Sequence, residues 1–310
     1  MKTITRQNNP INRAPGKLSH WESGREARKA AQRGRIQTIT THSSLIILSL
    51  LFLFPLFYMI SRSLMSAGDV NTQPPVIWPN VLHWENFGIA WSRAPFLQFL
   101  LNTLIIVGLN IVGVTVSSAL CGFGFARLRF PGRNIIFGVV LATIMLPPTV
   151  TLIPLYIVFR NWNWLDTFLP LTVPGFFGGG AFNIFLFRQF FMSLPRELDE
   201  AALIDGANTW QIFTRIILPL SIPAVTVVAT LTFIANWTDI FGPIIFLNQQ
   251  QNWTLAQGAL SVFTNSYLGG VPQVEYVAAI GMILVVPPLL LYAFLQRYLL
   301  EGIALTGLKG

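Results

Sequence analysis

Charge is scarce in this sequence, and its scarcity excludes a water-soluble fold. Charged residues make up only 10% of the 310 residues, whereas a typical soluble domain contains about 25%. Hydrophobic residues make up 53%, and a soluble protein of this length could not remove so much apolar surface from water. The composition therefore predicts that the chain lies in a lipid bilayer.

Cysteine, histidine and catalytic constellations are sparse as well. The single cysteine, Cys121, has no partner for an internal disulfide, and the three histidines lack the spacing of a metal site. We find no paired carboxylates, no Ser/His/Asp set and no phosphate-binding G-x-x-x-x-G-K-[ST] loop. The Gly-Lys pair at residues 16–17 is followed by Leu18, where the loop motif requires Ser or Thr. We therefore expect no catalytic residue, no metal and no cofactor, and any ATP that drives the chain must be hydrolysed by a partner.

The net charge of +8 is concentrated before the first apolar run. Nine Lys and Arg residues precede His42, against only Glu22 and Glu26. A nucleic-acid-binding protein would instead spread basic residues over a folded face, interleaved with aromatic side chains. We predict no nucleic-acid partner, and we interpret residues 1–42 as a basic cytoplasmic extension that orients the chain or contacts lipid head groups.

Six apolar stretches are each long enough, at roughly 20 residues, to cross a hydrocarbon core about 30 Å thick. They cover about residues 43–64, 99–125, 135–159, 168–190, 216–237 and 276–299. The sequence thus predicts an all-α, polytopic membrane protein with a six-helix transmembrane domain over residues 43–300 and a short tail at residues 301–310.

Basic residues lie mainly on one side of these stretches. If the N-terminus is cytoplasmic, 17 of the 20 Lys and Arg residues fall on the cytoplasmic side, and only Arg62, Arg93 and Arg160 fall outside. The positive-inside rule favours this orientation. We expect both termini, and the tail at residues 301–310, to be cytoplasmic.

The cores of the apolar stretches contain no Asp, Glu, Lys, Arg or His. Ion-coupled carriers usually hold such residues within their spans, because these groups bind and release the coupling ion. Prolines and Gly178-Gly179-Gly180 interrupt several stretches instead, which indicates either close helix packing or a hinge. We therefore keep an ATP-independent channel or secondary carrier only as an alternative hypothesis.

Residues 193–219, between the fourth and fifth stretches, are the most informative. Pro195 suits a first helical position, and three acidic residues follow within five positions. Gly206 can end that helix in a left-handed conformation, and Thr209 can cap a second helix over about residues 210–217. The segment is either a docking site, where Ala201 and Ala202 would let a partner approach closely, or an ordinary solvated loop.

This segment also resembles a known signature. The E-A-A-x-x-D-G-A pattern and the F and L-P that follow it are those of binding-protein-dependent ABC importer permeases. The residues that match, which the resemblance identifies as contacts for an ATPase, are Glu200, Ala201, Ala202, Asp205, Gly206, Ala207, Phe213, Leu218 and Pro219.

Other stretches resemble the carbohydrate, maltose-type branch of that family. They are Asn102-Thr103 and residues 126–133, 152–156, 236–239, 296–298 and 307–310. The resemblance covers about residues 43–310.

The resemblance implies an ABC importer permease (MetI-like) fold in a bacterial-type cytoplasmic (inner) membrane. It implies three kinds of partner besides lipid and solute: a second permease subunit that is a different chain, two ATPase subunits and an extracytoplasmic solute-binding protein. The helix with Glu200 would be the coupling helix, the residues after Gly242 would reach the binding protein, and residues 306–310 would touch the ATPase. The solute would be a sugar or a sugar-like compound; the alternative is the same kind of importer for another solute, such as glycerol phosphate or an oligosaccharide derivative.

Overall fold

The computed structural model describes the backbone of residues 18–267 and 273–307, and the surroundings of side chains 37–147, 149–261 and 273–296. Within these residues the chain forms helices joined by turns and contains no β-strand, as the all-α prediction requires. The helices are α1 (Leu18–Ser63), α2 (Ala67–Val70), α3 (Glu85–Ser92), α4 (Phe96–Arg127), α5 (Arg133–Ala142), α6 (Pro148–Asn161), α7 (Leu169–Thr172), α8 (Ala181–Ser193), α9 (Glu197–Ile204), α10 (Thr209–Ile212), α11 (Leu218–Leu220), α12 (Ile222–Trp237), α13 (Phe241–Phe246), α14 (Leu255–Tyr267) and α15 (Val274–Gly307).

Four helical stretches are long and apolar enough to cross a membrane unaided: Gln37–Ser63, Phe96–Arg127, Leu169–Ser193 and Val274–Gln296. The third and fifth predicted spans are each broken into a bent pair of helices; α12 lies at 77° to the stretch Thr209–Leu220. Prolines cause both breaks, because the ring removes a backbone donor and clashes with the preceding turn. The six predicted spans thus correspond to these four stretches and two bent pairs.

Contacts within the chain separate residues 1–58 from residues 59–310. In the first unit, α1 runs through residue 42 without a break, so the boundary predicted there is not one of secondary structure. The packing described below belongs to the second unit.

Helix α4 approaches α8 very closely. A Cβ atom at Gly122 would lie 2.6 Å from the Cβ of Phe187 and 3.0 Å from the backbone nitrogen of Arg188. Real Cβ atoms are not found so near to a neighbour, so a glycine is required for the two helices to touch.

The three consecutive glycines form a turn against α4. Gly178, Gly179 and Gly180 have φ values of +93°, +64° and +90°, a region that only glycine occupies without strain. A Cβ at Gly179 would lie 2.5 Å from the carbonyl oxygen of Val114. The structure therefore supports the close-packing interpretation of this triplet, with α8 beginning directly after it.

Polar side chains of α4 donate hydrogen bonds to the irregular backbone that precedes this turn. The chain leaves α7 through a 3₁₀ turn, Val173–Phe176, which contains a proline. Asn110 donates a hydrogen bond to the carbonyl of Leu171 at 2.8 Å, and Ser117 donates to that of Gly175 at 3.0 Å. Lipid offers no hydrogen bonds, so non-helical backbone at this depth needs such donors.

Trp237 likewise donates a hydrogen bond to a backbone carbonyl, in this case one of α15. In a regular helix the carbonyl of Leu284 would accept from residue 288, but Pro288 has no N–H group. The indole Nε1 of Trp237 donates to that carbonyl at 2.8 Å, and its ring stacks on Phe233 with centroids 5.4 Å apart.

The other end of α4 anchors the segment between α13 and α14. Asn102 donates to the carbonyls of Gln251 and Trp253 at 2.8 and 3.0 Å, and Thr103 accepts from the N–H of Leu255 at 2.8 Å. The Asn-Thr pair therefore has a structural role in this chain.

We predict that Trp237→Phe lowers the free energy of unfolding by about 1–3 kcal/mol, because the carbonyl of Leu284 loses its donor while the aromatic ring remains. Thermal unfolding of the detergent-purified protein measures the change. Trp253→Phe is the matched control, since the buried Nε1 of Trp253 has no hydrogen-bond partner. Equal losses in the two variants would contradict the prediction, and adding Pro288→Ala to Trp237→Phe should restore part of the stability.

Candidate functional site

The candidate site is the elbow, residues 193–219, which links the fourth span to the fifth. Its first helix, α9, begins at Glu197, and Arg196 is the N-cap residue. The carbonyl of Arg196 accepts from the N–H groups of Asp199 and Glu200 at 3.0 and 3.1 Å. The predicted start at Pro195 is therefore too early, although the acidic residues do occupy the first turn, where the helix dipole favours them.

Gly206 ends α9 as predicted, with a φ of +81°. Two hydrogen bonds close the helix: Ala207 N–H donates to the carbonyl of Ala202 at 2.9 Å, and Gly206 N–H donates to that of Leu203 at 3.1 Å. This pair of bonds is the Schellman motif, which requires a left-handed residue at the position of Gly206.

Asn208, not Thr209, caps the second helix, so the predicted cap is wrong by one residue. The Asn208 side chain accepts from Gln211 N–H at 2.9 Å, and Asn208 N–H donates to Gln211 Oε1 at 2.8 Å. This reciprocal pair needs an amide or carboxylate three residues after the cap, and Thr209 is followed there by Ile212. The helix then widens into a π-helical turn, Phe213–Ile217, before α11.

The signature residues lie on two different faces of the elbow. Ala202 and Phe213 are buried with Ile212 and Ile217 in a core that includes Phe123 of α4. The rings of Phe123 and Phe213 lie 5.0 Å apart. Ala207 and Leu218 are partly buried. Exposed are Glu200, Ala201, Asp205, Gly206 and Pro219. Of the two alanines expected to meet a partner, only Ala201 is open to one, because Ala202 packs against its own chain.

Large apolar side chains accompany the exposed part of the signature. Leu203, Ile204 and Trp210 are 57%, 87% and 60% exposed. Beside them, a groove is lined by residues on both sides of the Gly206 turn, among them Asp205 and Gln211. Apolar surface that is left open next to charged residues is typical of protein interfaces. Sequence reasoning missed these three residues, although an apolar pair at the end of an acidic helix was a usable signal.

An ion pair clamps α9 to the end of α4. Arg127 and Asp199 lie 3.2 Å apart, and their side chains are only 5% and 18% exposed. Arg127 also donates to the carbonyl of Leu194 at 3.0 Å. Burial raises the pKa of the Asp199 carboxyl, while the positive charges of Arg127 and Arg196 act in the opposite direction. No local pattern indicates this pair, because its two members are far apart in the chain.

Among the residues that the structure describes, no group of three or more His, Cys, Asp or Glu side chains could hold a metal ion. The elbow presents a surface with a glycine turn, acidic groups and exposed apolar side chains. Its opposite face is packed against α4. Such an arrangement suits binding of another protein.

We predict that Asp199→Asn lowers the free energy of unfolding by about 3–5 kcal/mol, because it leaves the buried Arg127 without a counter-charge. Thermal unfolding in detergent provides the measurement. Glu197→Gln, in the same turn but exposed, should change stability by less than about 0.5 kcal/mol. The double variant Arg127→Met/Asp199→Leu should be closer to the unaltered protein than Asp199→Asn is. A harmless Asp199→Asn would rule out the clamp.

Comparisons with known proteins bear on this arrangement. Residues 118–304 match the family described as binding-protein-dependent transport system inner membrane component. The chain is 32% identical over 271 residues to the diacetylchitobiose uptake system permease protein NgcG of Streptomyces coelicolor, with 87% of this chain and 89% of that protein covered. It is 34% identical to the sn-glycerol-3-phosphate transport system permease protein UgpE of Yersinia pestis, with 86% and 95% covered.

Two further similarities agree. The maltose/maltodextrin transport system permease protein MalG of Salmonella typhimurium is 30% identical over 295 residues, with 89% of this chain and 97% of that protein covered. The fold is similar, with a TM-score of 0.74 and 24% identity, to that in the crystal structure of a bacterial ABC transporter involved in the import of alginate, covering 86% of this chain and 97% of that one. The family match spans more than half of the sequence, and the relatives are matched over nearly their full length. This chain belongs to the family of binding-protein-dependent transport system inner membrane components.

Proposed function

We propose that this chain is the permease subunit of an ATP-driven importer and that the elbow is its contact with an ATPase. The observation that carries the proposal is the two-faced elbow. Its outer face presents Glu200, the Gly206 turn and Ile204, while its inner face is buried against the chain. A solvated loop would have no reason to leave Leu203, Ile204 and Trp210 open.

The rigid attachment of the elbow suits it to transmit force. Phe213 packs on Phe123, and Asp199 pairs with Arg127, so both halves of the elbow are held by α4. A displacement imposed on α9 by a closing ATPase would therefore move α4 as well, instead of being lost in a flexible loop. Alternating access to the two sides of the membrane then requires an assembly with two packed states, each stabilised by different contacts.

Membership in the family supports a proposal for the other members of the assembly. We propose a second permease subunit of different sequence, two ATPase subunits and a solute-binding protein outside the membrane, with both termini of this chain in the cytoplasm. The segment held by Asn102 at residues 251–255 lies on the opposite side to the elbow in this topology and is the proposed contact for the binding protein. Residues 268–272 and the tail end at residues 308–310 lie outside the described part of the chain.

We propose that the solute is a sugar or a sugar-like compound. The names of the relatives refer to diacetylchitobiose, sn-glycerol-3-phosphate and maltose or maltodextrin. These solutes all carry free hydroxyl groups. A panel of these four compounds, radiolabelled, is therefore the first choice for uptake measurements.

We predict that Gly206→Arg abolishes ATP-dependent uptake, because its side chain projects into the groove where the partner would sit. Gly206→Ala is the matched control. Both substitutions carry the same left-handed strain of about 1 kcal/mol, and a Cβ at this position meets no atom within 4 Å. Uptake into proteoliposomes should be lost with arginine and largely retained with alanine, while both variants stay in the membrane.

Co-purification separates this proposal from its alternative. The assembly should retain an ATPase subunit through purification, and Glu200→Lys should reduce that retention as Gly206→Arg does. Solute movement that continues in either variant, or without any ATPase present, would instead favour an ATP-independent channel or carrier.

A further inference from the structure

A basic pocket lies beside the elbow, where the chain passes from α4 to α5. It has a volume of about 590 Å³ and is lined by residues 129–130 and 132–135 together with Arg196. Three of its lining side chains are arginines, Arg129, Arg133 and Arg196, and none of its lining residues is acidic. Neither the signature nor the proposed docking face includes this pocket.

No carboxylate forms a direct ion pair with the arginines of the pocket in the described part of the molecule. The charge of Arg196 does act on the nearby Asp199, but that carboxylate already pairs with Arg127. Arg133 donates one hydrogen bond, to the carbonyl of Leu128 at 3.0 Å. Arg133 and Arg196 also act as like charges on two neighbours, Arg188 and Arg127 respectively. An anion in the pocket would relieve this repulsion.

The backbone adds to the attraction for an anion. Helix α5 begins at Arg133, and its N-cap residue is Gly132, which offers no side chain to the first N–H groups. The N–H of Arg133 itself donates to the carbonyl of Phe130 at 3.4 Å. The helix dipole and the next N–H groups, those of Asn134 and Ile135, favour negative charge at this end of α5.

The surroundings of the pocket indicate which kind of anion it takes. Ile135 lines the pocket and is 75% exposed, and Val139, one turn further along the same face of α5, is 62% exposed. Because α5 is the first half of the third span, this apolar face continues from the pocket along the hydrocarbon core. A ligand with a charged head and an apolar tail would contact both the arginines and this face, whereas a free phosphate would use only the first.

We propose that the pocket binds the phosphate-containing head group of an anionic phospholipid, whose acyl chains lie along Ile135 and Val139. Basic pockets between membrane-spanning helices are a recurrent means of holding such lipids. Arg196 is also the N-cap residue of α9, so the bound lipid would lie at the start of the helix that carries Glu200.

Lipid titration of the delipidated protein, with any companion subunits that it retains, tests this proposal by native mass spectrometry. Phosphatidylglycerol should bind more tightly than phosphatidylcholine with the same acyl chains. Arg129→Gln/Arg133→Gln should weaken phosphatidylglycerol binding by about 25-fold, since each basic residue near a lipid surface contributes about fivefold. Phosphatidylcholine binding should not change.

Arg160→Gln/Arg215→Gln is the matched control, because it removes the same charge from exposed positions outside the pocket. It should leave phosphatidylglycerol binding within about twofold. An equal loss in both double variants would overturn the proposal, because net charge alone would then explain the binding. Displacement of the lipid by an equal concentration of inorganic phosphate would overturn it in favour of a free anion. If Arg129→Gln/Arg133→Gln leaves lipid binding unchanged but causes the loss of a companion subunit, the proposal would be overturned in favour of a protein contact.

Discussion

The structure depends on one constraint: every backbone N–H and C=O group that lies in lipid must find a partner within the protein. This chain breaks several of its spans with proline and glycine, and it meets the constraint with side chains from neighbouring helices. Asn110 and Ser117 of α4 donate hydrogen bonds to carbonyls before the glycine turn, and Trp237 donates to the carbonyl that Pro288 leaves without a backbone donor. Asn110, Ser117 and Trp237 therefore have structural roles within the spans, whose cores contain no Asp, Glu, Lys, Arg or His.

Helix α4 carries this internal framework to the elbow. Along one stretch of its length it provides Gly122 for contact with α8, Phe123 for the core beneath the elbow and Arg127 for the clamp on α9. Close packing and a buried ion pair are both costly to disturb, so the elbow and α4 should move together. A partner that binds the outer face of the elbow would thus act directly on α4, an uninterrupted helix of 32 residues.

The elbow end of the molecule combines two kinds of surface. The docking face has exposed acidic and apolar residues around Gly206, and the pocket beyond Arg196 has arginines beside an apolar wall. The first suits a protein and the second suits a lipid. Their meeting at the start of α9 makes the lipid composition of the membrane a natural influence on the same helix that the ATPase is proposed to move.

Several features could be predicted from the sequence because they depend on local or repeated patterns. Apolar runs of the required length predicted the all-α membrane fold, and Gly206 predicted the end of α9, since a left-handed residue is needed there whatever surrounds it. The cap at Asn208 was within reach, because its partner Gln211 lies only three residues away, but the helix was assigned one residue late.

Other features could only be decided by the tertiary structure, because they join residues that are distant in the chain. Nothing local to Asp199 indicates that it pairs with Arg127, and nothing local to Ala202 indicates that it is buried while Ala201 is exposed. The hydrogen bond from Trp237 to the carbonyl that Pro288 leaves without a donor also joins residues that are distant in the chain. Composition and turn chemistry by themselves determined that this chain spans a membrane and carries a helical elbow. Packing decided which face of the elbow is free to bind, because burial depends on which helices come together in space.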